Sequence, residues 1–192
     1  MLQQSLGTHG IGARTVVTAD GAYGQALISR WPLIDTEIRD LSYPECEPRR
    51  AICSDVAAPF GPLRVIATHL GLSLRERRSQ AIALLALLGK PDRPTVALGD
   101  FNDWFWAGSV RRALARALPG FSRHRTFPAH LPFFQLDGVY LSSKQALLGK
   151  LRQRGVDSLD LVLLTHPHLD HLGGLPTVIR AIPVKAFMDS GF

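Results

Sequence analysis

The sequence predicts a mixed α/β fold. Short runs rich in Val, Ile, Leu and Thr are bounded by Gly, Pro or Asp, which is typical of strands. Between them lie stretches with apolar residues at helical spacing. No internal repeat interrupts this pattern. The 192 residues suffice for one domain of ordinary size with a smaller appendage.

The elements follow in order along the chain. The strand-like runs are residues 25–29, 51–56, 63–68, 95–99, 138–141 and 159–165. Residues 74–88 predict a helix that crosses over the sheet, with Glu76 on its charged face and Ile82 on its apolar face. A second helix is expected over residues 109–118 with Ser109 as N-cap, and a third over residues 144–154.

Composition and charge limit the classes of function. The net charge of +6 favours a polyanionic partner such as a phosphate-ester substrate, and permits nucleic acid. The two cysteines, Cys46 and Cys53, form no CxxC pair, so free thiols are expected. No apolar run approaches the roughly 20 residues that cross a bilayer, and no secretory signal is recognisable, so a cytoplasmic location is the default expectation. The oligomeric state is not encoded in these patterns.

The strongest motif in the body of the chain is LGDFND, directly after an apolar strand. A strand that ends in Gly-Asp places Asp100 at the edge of the sheet, where a carboxylate can bind a metal or accept a proton from water. Asn102, two residues on, can donate to a phosphate oxygen. The alternative interpretation is a turn capped by Asp and Asn.

Four further motifs accompany it. ATHL ends an earlier strand at His69, QLDGVYLS begins a later one with Asp137, and GQALISRWPL and RRAI precede both. In this order the series resembles the endonuclease/exonuclease/phosphatase superfamily over about residues 21–142. The fold implied is a four-layered α/β sandwich of two packed sheets.

The resemblance implies a role for each matching residue. Asp100 corresponds to the aspartate that activates the attacking water, and Asn102 to the asparagine that orients the scissile phosphate. His69 corresponds to a histidine that donates to the phosphate or protonates the leaving group. Asp137 corresponds to the aspartate that orients a second histidine. A divalent cation, Mg²⁺ or Mn²⁺, is implied at the Asp100 site, where it would neutralise developing charge.

Supporting roles are implied for Arg78 and Gln80. The sequence lacks the family's N-terminal Asn and Glu motifs, the latter carrying a metal ligand, and its C-terminal His motif. After LDGVYLS the character of the sequence changes.

A second motif, THPHLDH, follows the last strand-like run. On one short turn His166 and His168 can close on one metal, while Asp170 and His171 can reach a second. The motif and its flanks resemble the metallo-β-lactamase superfamily, including the subgroup fused to DNA-uptake proteins, over about residues 147–192. Zn²⁺ could be held there. The alternative is a His-rich exposed loop.

Together these patterns predict a partial four-layered sandwich over residues 1–142 and a βα segment of metallo-β-lactamase type over residues 143–192. One extension of this hypothesis adds the run at 159–165 to the first sheet, which would bring His171 close to Asp137. Three functions remain open. They are a phosphoesterase of the nuclease or phosphatase type, a metallo-β-lactamase-type hydrolase fragment, and a non-catalytic fusion or truncated chain.

Overall fold

The fold is described from a computed structural model. It describes residues 7–19, 21–59, 61–88, 93–104, 108–121 and 136–142, and two short strands beyond them. The strands are β1 (His9–Thr18), β2 (Gly21–Ser29), β3 (Leu33–Asp40), β4 (Arg50–Ala58), β5 (Gly61–His69), β6 (Thr95–Asp100), β7 (Gly120–Phe121), β8 (Asp137–Leu141), β9 (Val162–Leu163) and β10 (Phe187–Met188). The helices are α1 (Leu74–Leu87) and α2 (Ser109–Leu114).

Six strands form one mixed sheet in the order β3-β4-β5-β6-β8-β7. β5 and β6 are parallel, and the neighbouring pairs β3/β4, β4/β5, β6/β8 and β7/β8 are antiparallel. Parallel neighbours need a long crossover connection, which α1 supplies between β5 and β6. The crossover brings the carboxyl ends of β5 and β6 to the same edge of the sheet.

The two faces of this sheet are covered differently. On one face, alternate strand residues such as Ala51 and Ile66 pack against α1 and α2 in the larger core. On the other face, the β1–β2 hairpin packs through Ala13 onto Ile52 and Ala67. The predicted α/β class is therefore confirmed, and the described residues form a helix layer, a mixed sheet and a hairpin layer.

Helix α1 begins with a capping box that changes its buried face. The Ser73 side chain accepts from Glu76 N at 3.2 Å, and the Ser73 backbone N–H donates to Glu76 Oε2 at 3.4 Å. Glu76 is consequently 3% exposed, whereas Ile82 is 69% exposed. The prediction of the helix is confirmed, but the assignment of these two side chains is wrong, because the capping box draws Glu76 inward.

Helix α2 is shorter than predicted. Its N-cap is Gly108, so Ser109 is its first residue and not its cap. The backbone N–H of Arg111 donates instead to Asp103 Oδ2 at 3.0 Å, and this contact supplies an acceptor for the first turn. Residues 115–117 continue as turns.

All five strand predictions within residues 25–141 are confirmed with slightly longer bounds, while β1, β3 and β7 were not predicted. Beyond them, β9 pairs in parallel with β10, so the described part of the last run does not join the six-stranded sheet as hypothesised. Parallel pairing satisfies the backbone of β9 within a separate sheet. The third helix lies outside the described residues, and the division at residues 142/143 stays a prediction.

Cys46 and Cys53 are free, as expected. Among the described helices, none combines the length and apolar character that crossing a membrane requires.

A buried ion cluster stabilises the end of the sheet away from the carboxyl ends of β5 and β6. Asp55 is 1% exposed and accepts from Arg64 Nε at 2.9 Å and Nη2 at 3.2 Å, and it also pairs with Arg93. We expect Asp55→Ala to lower the free energy of unfolding by about 3–5 kcal/mol, because it removes a buried carboxylate that is the shared counter-charge of two partly buried guanidinium groups. Urea denaturation measures this loss.

The matched control is Glu37→Ala, which removes the exposed ion pair with Arg39 on β3. Exposed pairs contribute about 0–1 kcal/mol, so this variant should unfold near the wild-type midpoint. Equal losses in the two variants would contradict the role given to the buried cluster.

Candidate functional site

Three predicted site residues lie side by side where the central strands end. In the register of the sheet His69 of β5 is opposite Asp100 of β6, and Asp100 is opposite Asp137 of β8. Paired residues on neighbouring strands point to the same face. His69 Nε2 lies 3.5 Å from Asp100 Oδ2, and the His69 side chain is 48% exposed while that of Asp100 is 11% exposed. The site is thus a row of one imidazole and two carboxylates, which we call the strand-end row.

Asn102 is fixed beside this row by its backbone and its amide. Its φ of +47° lies in the left-handed region, which Asn tolerates better than most residues. Its backbone N–H donates to Asp100 Oδ1 at 2.8 Å, and its Nδ2 donates to Leu70 O at 2.7 Å. One amide hydrogen and the amide oxygen remain for other contacts. The hydrogen bond to Asp100 leaves Oδ2, the oxygen nearer His69, as the one directed along the row.

The turn after His69 is held by helix α1. Gln80, 1% exposed, accepts from Gly71 N at 2.9 Å and donates to Leu41 O at 3.0 Å. This confirms a supporting position for Gln80. The buried arginine that contacts the same turn is Arg77, which donates to Leu72 O, whereas Arg78 is exposed. The assignment of Arg78 is therefore wrong by one residue, because the capping box sets which helix positions face inward.

Arg50 lies beside the strand-end row, and the sequence interpretation did not assign it. It pairs with Asp40 of β3, and it precedes Ala51, whose partner on β5 is Thr68. Since side chains alternate along strands, Arg50 and His69 point to the same face. A cation beside the imidazole suits a site for anions. The Arg-Arg doublet marked this position, but only the register distinguishes Arg50 from Arg49.

Another carboxylate of the same motif is directed elsewhere. Asp103 is 5% exposed, and burial raises its pKa although the N–H of Arg111 and nearby arginine charges oppose that rise. Burial also raises the pKa of Tyr140, on the helix face. Asp103 is bound to the start of α2 and not to the strand-end row.

The strand-end row offers few protein ligands for a metal ion. Within the described ranges, no three His, Cys, Asp or Glu side chains converge on one metal position. Mg²⁺ is commonly held by one or two carboxylates with water and substrate phosphate completing its shell. The carboxylate of Asp100 fits that requirement, whereas a zinc site needs three or four protein ligands.

The second predicted metal site lies outside the described residues. His166, His168, Asp170 and His171 follow β9 in the sequence. The proximity of His171 to Asp137 likewise stays a prediction.

Comparison with known proteins extends these observations. The model of the endonuclease/exonuclease/phosphatase family matches residues 3–170. The uncharacterized protein YbhP of Escherichia coli K12 is 31% identical over a stretch that covers 69% of this chain and 56% of that protein. The chain therefore spans little more than half the length of this relative.

Two solved structures share the fold. A conserved protein of unknown function from Enterococcus faecalis has a TM-score of 0.56 at 20% identity, covering 69% of this chain and 64% of that one. A mannosyl-6-phosphatase from Bacteroides thetaiotaomicron has a TM-score of 0.55 at 12% identity, covering 71% and 63%. None of these matches supports the metallo-β-lactamase resemblance. The family match over most of the sequence, the shared fold and the strand-end row agree, and the chain belongs to the endonuclease/exonuclease/phosphatase family.

Proposed function

We propose that this chain is a metal-dependent phosphoesterase that hydrolyses a phosphodiester or phosphomonoester bond at the strand-end row. The observation that carries the proposal is the register that sets His69, Asp100 and Asp137 side by side, with Asn102 hydrogen-bonded to Asp100. Chemistry on a phosphate ester needs a base for water, a donor for phosphate oxygens and an acid for the leaving group. These side chains supply all three.

Asp100 is proposed as the base. Its Oδ1 accepts from the Asn102 N–H, and its Oδ2 lies 3.5 Å from His69 Nε2. We assign Oδ2, the oxygen nearer the half-exposed imidazole, as the acceptor of the proton from water. The hydrogen bond from Asn102 fixes the orientation of the carboxylate, which reduces the reorganisation needed for reaction. Asn102 uses one amide hydrogen to bind Leu70 O and can donate the second to a nonbridging phosphate oxygen.

His69 is proposed as the donor to the phosphate or to the leaving oxygen. Its side chain is about half exposed, so a substrate can reach it, and its Nε2 lies 3.5 Å from Asp100 Oδ2. Asp137 lies opposite Asp100 on β8. We propose that its carboxylate offsets part of the positive charge that a bound cation brings to the row. A bound Mg²⁺ or Mn²⁺ would neutralise charge on the phosphoryl group. Asp100 is the residue of the row that would bind this ion.

A second candidate function concerns residues 143–192. β9 and β10 pair in parallel, and the segment between them contains the HxHxDH motif. The support for this candidate is the spacing of the motif, which supplies imidazole and carboxylate ligands of the kind that zinc binds. This candidate is a metallo-β-lactamase-type hydrolase fragment with Zn²⁺ at His166, His168, Asp170 and His171.

The test is hydrolysis by the purified chain of bis(4-nitrophenyl) phosphate, 4-nitrophenyl phosphate and plasmid DNA. Assays run in EDTA and then with Mg²⁺, Mn²⁺ or Zn²⁺, on the wild type and on His166→Ala. We expect turnover with Mg²⁺ or Mn²⁺, none in EDTA, and no effect of His166→Ala. Turnover that His166→Ala abolishes would assign the chemistry to the second candidate. No turnover with any metal would make the chain a non-catalytic member of its family.

A further inference from the structure

The β1–β2 hairpin lies over the same face of the sheet as the strand-end row. β2 contacts β5 and β4, and β1 contacts β4 and β3. His69 and Asp100 are each three residues from a member of the helix-side core, Ile66 and Ala97 respectively, so both point to the opposite, hairpin face. The hairpin is therefore the element that approaches the row from above.

The direction of the hairpin follows from its hydrogen bonds. Gln25 Nε2 donates to Arg50 O at 2.8 Å and to Ala67 O at 3.1 Å, close to the row. The connection from β2 to β3 lies at the other end of the sheet, where Ala57 N donates to Pro32 O at 2.9 Å. β2 thus runs away from the row as its residue numbers rise, and residues before Gln25 extend towards it.

Tyr23 occupies the position that this direction brings over the row. It is two residues before Gln25, and the irregularity in the pairing at this point adds its extra residue to β1, between Arg14 and Val16. Alternation along β2 is therefore kept, and Tyr23 points to the same side as Gln25, about 7 Å further along. Ala67, which Gln25 contacts, is likewise two residues before His69 on β5. Tyr23 is nevertheless 61% exposed, because the sheet ends at this level.

The backbone around Tyr23 is held firmly. Its carbonyl accepts from Thr15 Oγ1 at 3.3 Å, at the bulge in β1. A Cβ on Gly24 would lie 2.1 Å from Ala13 O, so the two strands approach each other as closely as glycine permits. An exposed aromatic ring on such a fixed backbone is suited to binding a flat ring at low entropic cost.

We propose that Tyr23 is a specificity-determining residue that stacks on an aromatic ring carried by the ester beside the phosphate, as in a nucleobase. This inference rests on the proposed function for the position of the phosphate. Arg50 and His69, adjacent across β4 and β5, would bind the phosphate on the hairpin face of the sheet, which is the face to which Tyr23 points. An ester without a ring gains nothing from this contact.

The test is binding of adenosine 5′-monophosphate and ribose 5-phosphate, which differ only by the base. NMR titrations with Ca²⁺ present, and with phosphate release monitored so that intact ligand is measured, compare the wild type with Tyr23→Phe and Tyr23→Ala. Base stacking on an aromatic side chain predicts a preference for the nucleotide of about 5- to 150-fold in the wild type and in Tyr23→Phe. Tyr23→Ala should bind the two ligands with about equal affinity.

The matched control is Val17→Ala. Val17 is 74% exposed and pairs with Ala22, so it lies on the opposite face of the hairpin from Tyr23. It should keep the wild-type preference. Equal binding of the two ligands by the wild type, binding of neither, or an unchanged preference in Tyr23→Ala would each overturn the inference.

Binding and turnover separate the two proposals. A chain that hydrolyses nothing but prefers the nucleotide contradicts the proposed function and supports this inference. A chain that hydrolyses phosphate esters without preferring the nucleotide supports the proposed function and contradicts this inference. Phenyl phosphate and methyl phosphate, as a second matched pair, identify the source of the ring. A preference for phenyl phosphate supports aryl esters in general, and its absence beside a preference for the nucleotide supports a nucleobase.

Discussion

Asp100→Asn is expected to lower kcat/KM for phosphate-ester hydrolysis by about 10²- to 10⁴-fold while the fold is retained. Asparagine has the shape of aspartate and still offers an oxygen to the Asn102 N–H, now bonded at 2.8 Å. It cannot accept a proton from water, and it is a weak ligand for Mg²⁺. Steady-state rates with saturating Mg²⁺, beside a urea denaturation curve, measure the two effects separately.

The matched control for this variant is Asp103→Asn, a second buried carboxylate in the same motif. Asp103 binds the N–H of Arg111 and does not face the row. Because burial raises its pKa, its contribution to stability is present below the unfolded-state pKa and is lost as the pH rises through the folded-state value. At pH 7 a neutral asparagine should therefore be tolerated. A comparable loss of activity in both variants would show that the motif acts through structure and not through Asp100.

The sequence indicated the residues of the candidate site but not how they come together in the sheet. LGDFND, ATHL and QLDGVYLS each mark the end or start of a strand, and all three strands are found in the structure. That His69, Asp100 and Asp137 form one row depends on the register of pairings between strands distant in sequence. Register is set by packing and crossover geometry, which no local pattern contains.

Other features were beyond local patterns for different reasons. β1 (His9–Thr18) contains two glycines and several polar residues, and Ala13 is its one buried residue, so its apolar pattern is weak. Glu76 was predicted on the solvent-exposed face of α1, because hydrophobic periodicity does not detect a capping box that turns a carboxylate inward. Tyr23 gave no signal, since an aromatic residue on a strand is ordinary, and its significance comes from the direction of the hairpin.

Gly99→Ala is expected to lower both stability and activity, because this glycine sets the distance between the strands that carry His69 and Asp100. Its φ is +138°, and a Cβ would lie 1.8 Å from Thr68 O in the backbone of β5. Left-handed or unusual backbone costs a non-glycine residue about 1–3 kcal/mol, and forced overlap typically adds about 1–3 kcal/mol.

Gly61→Ala separates the two contributions. Gly61 also has a positive φ, +110°, but a Cβ there would have no neighbour within 4 Å. It should lose only the backbone contribution and keep its activity, since it begins β5 at the end away from the row. Gly99→Ala should lose more stability and should also lose activity, because relief of the overlap moves Asp100 away from His69. The contrary result is that the two variants unfold at the same urea concentration and hydrolyse substrate equally. In that case Gly99 is needed only for its backbone angle, and the distance between His69 and Asp100 does not depend on it.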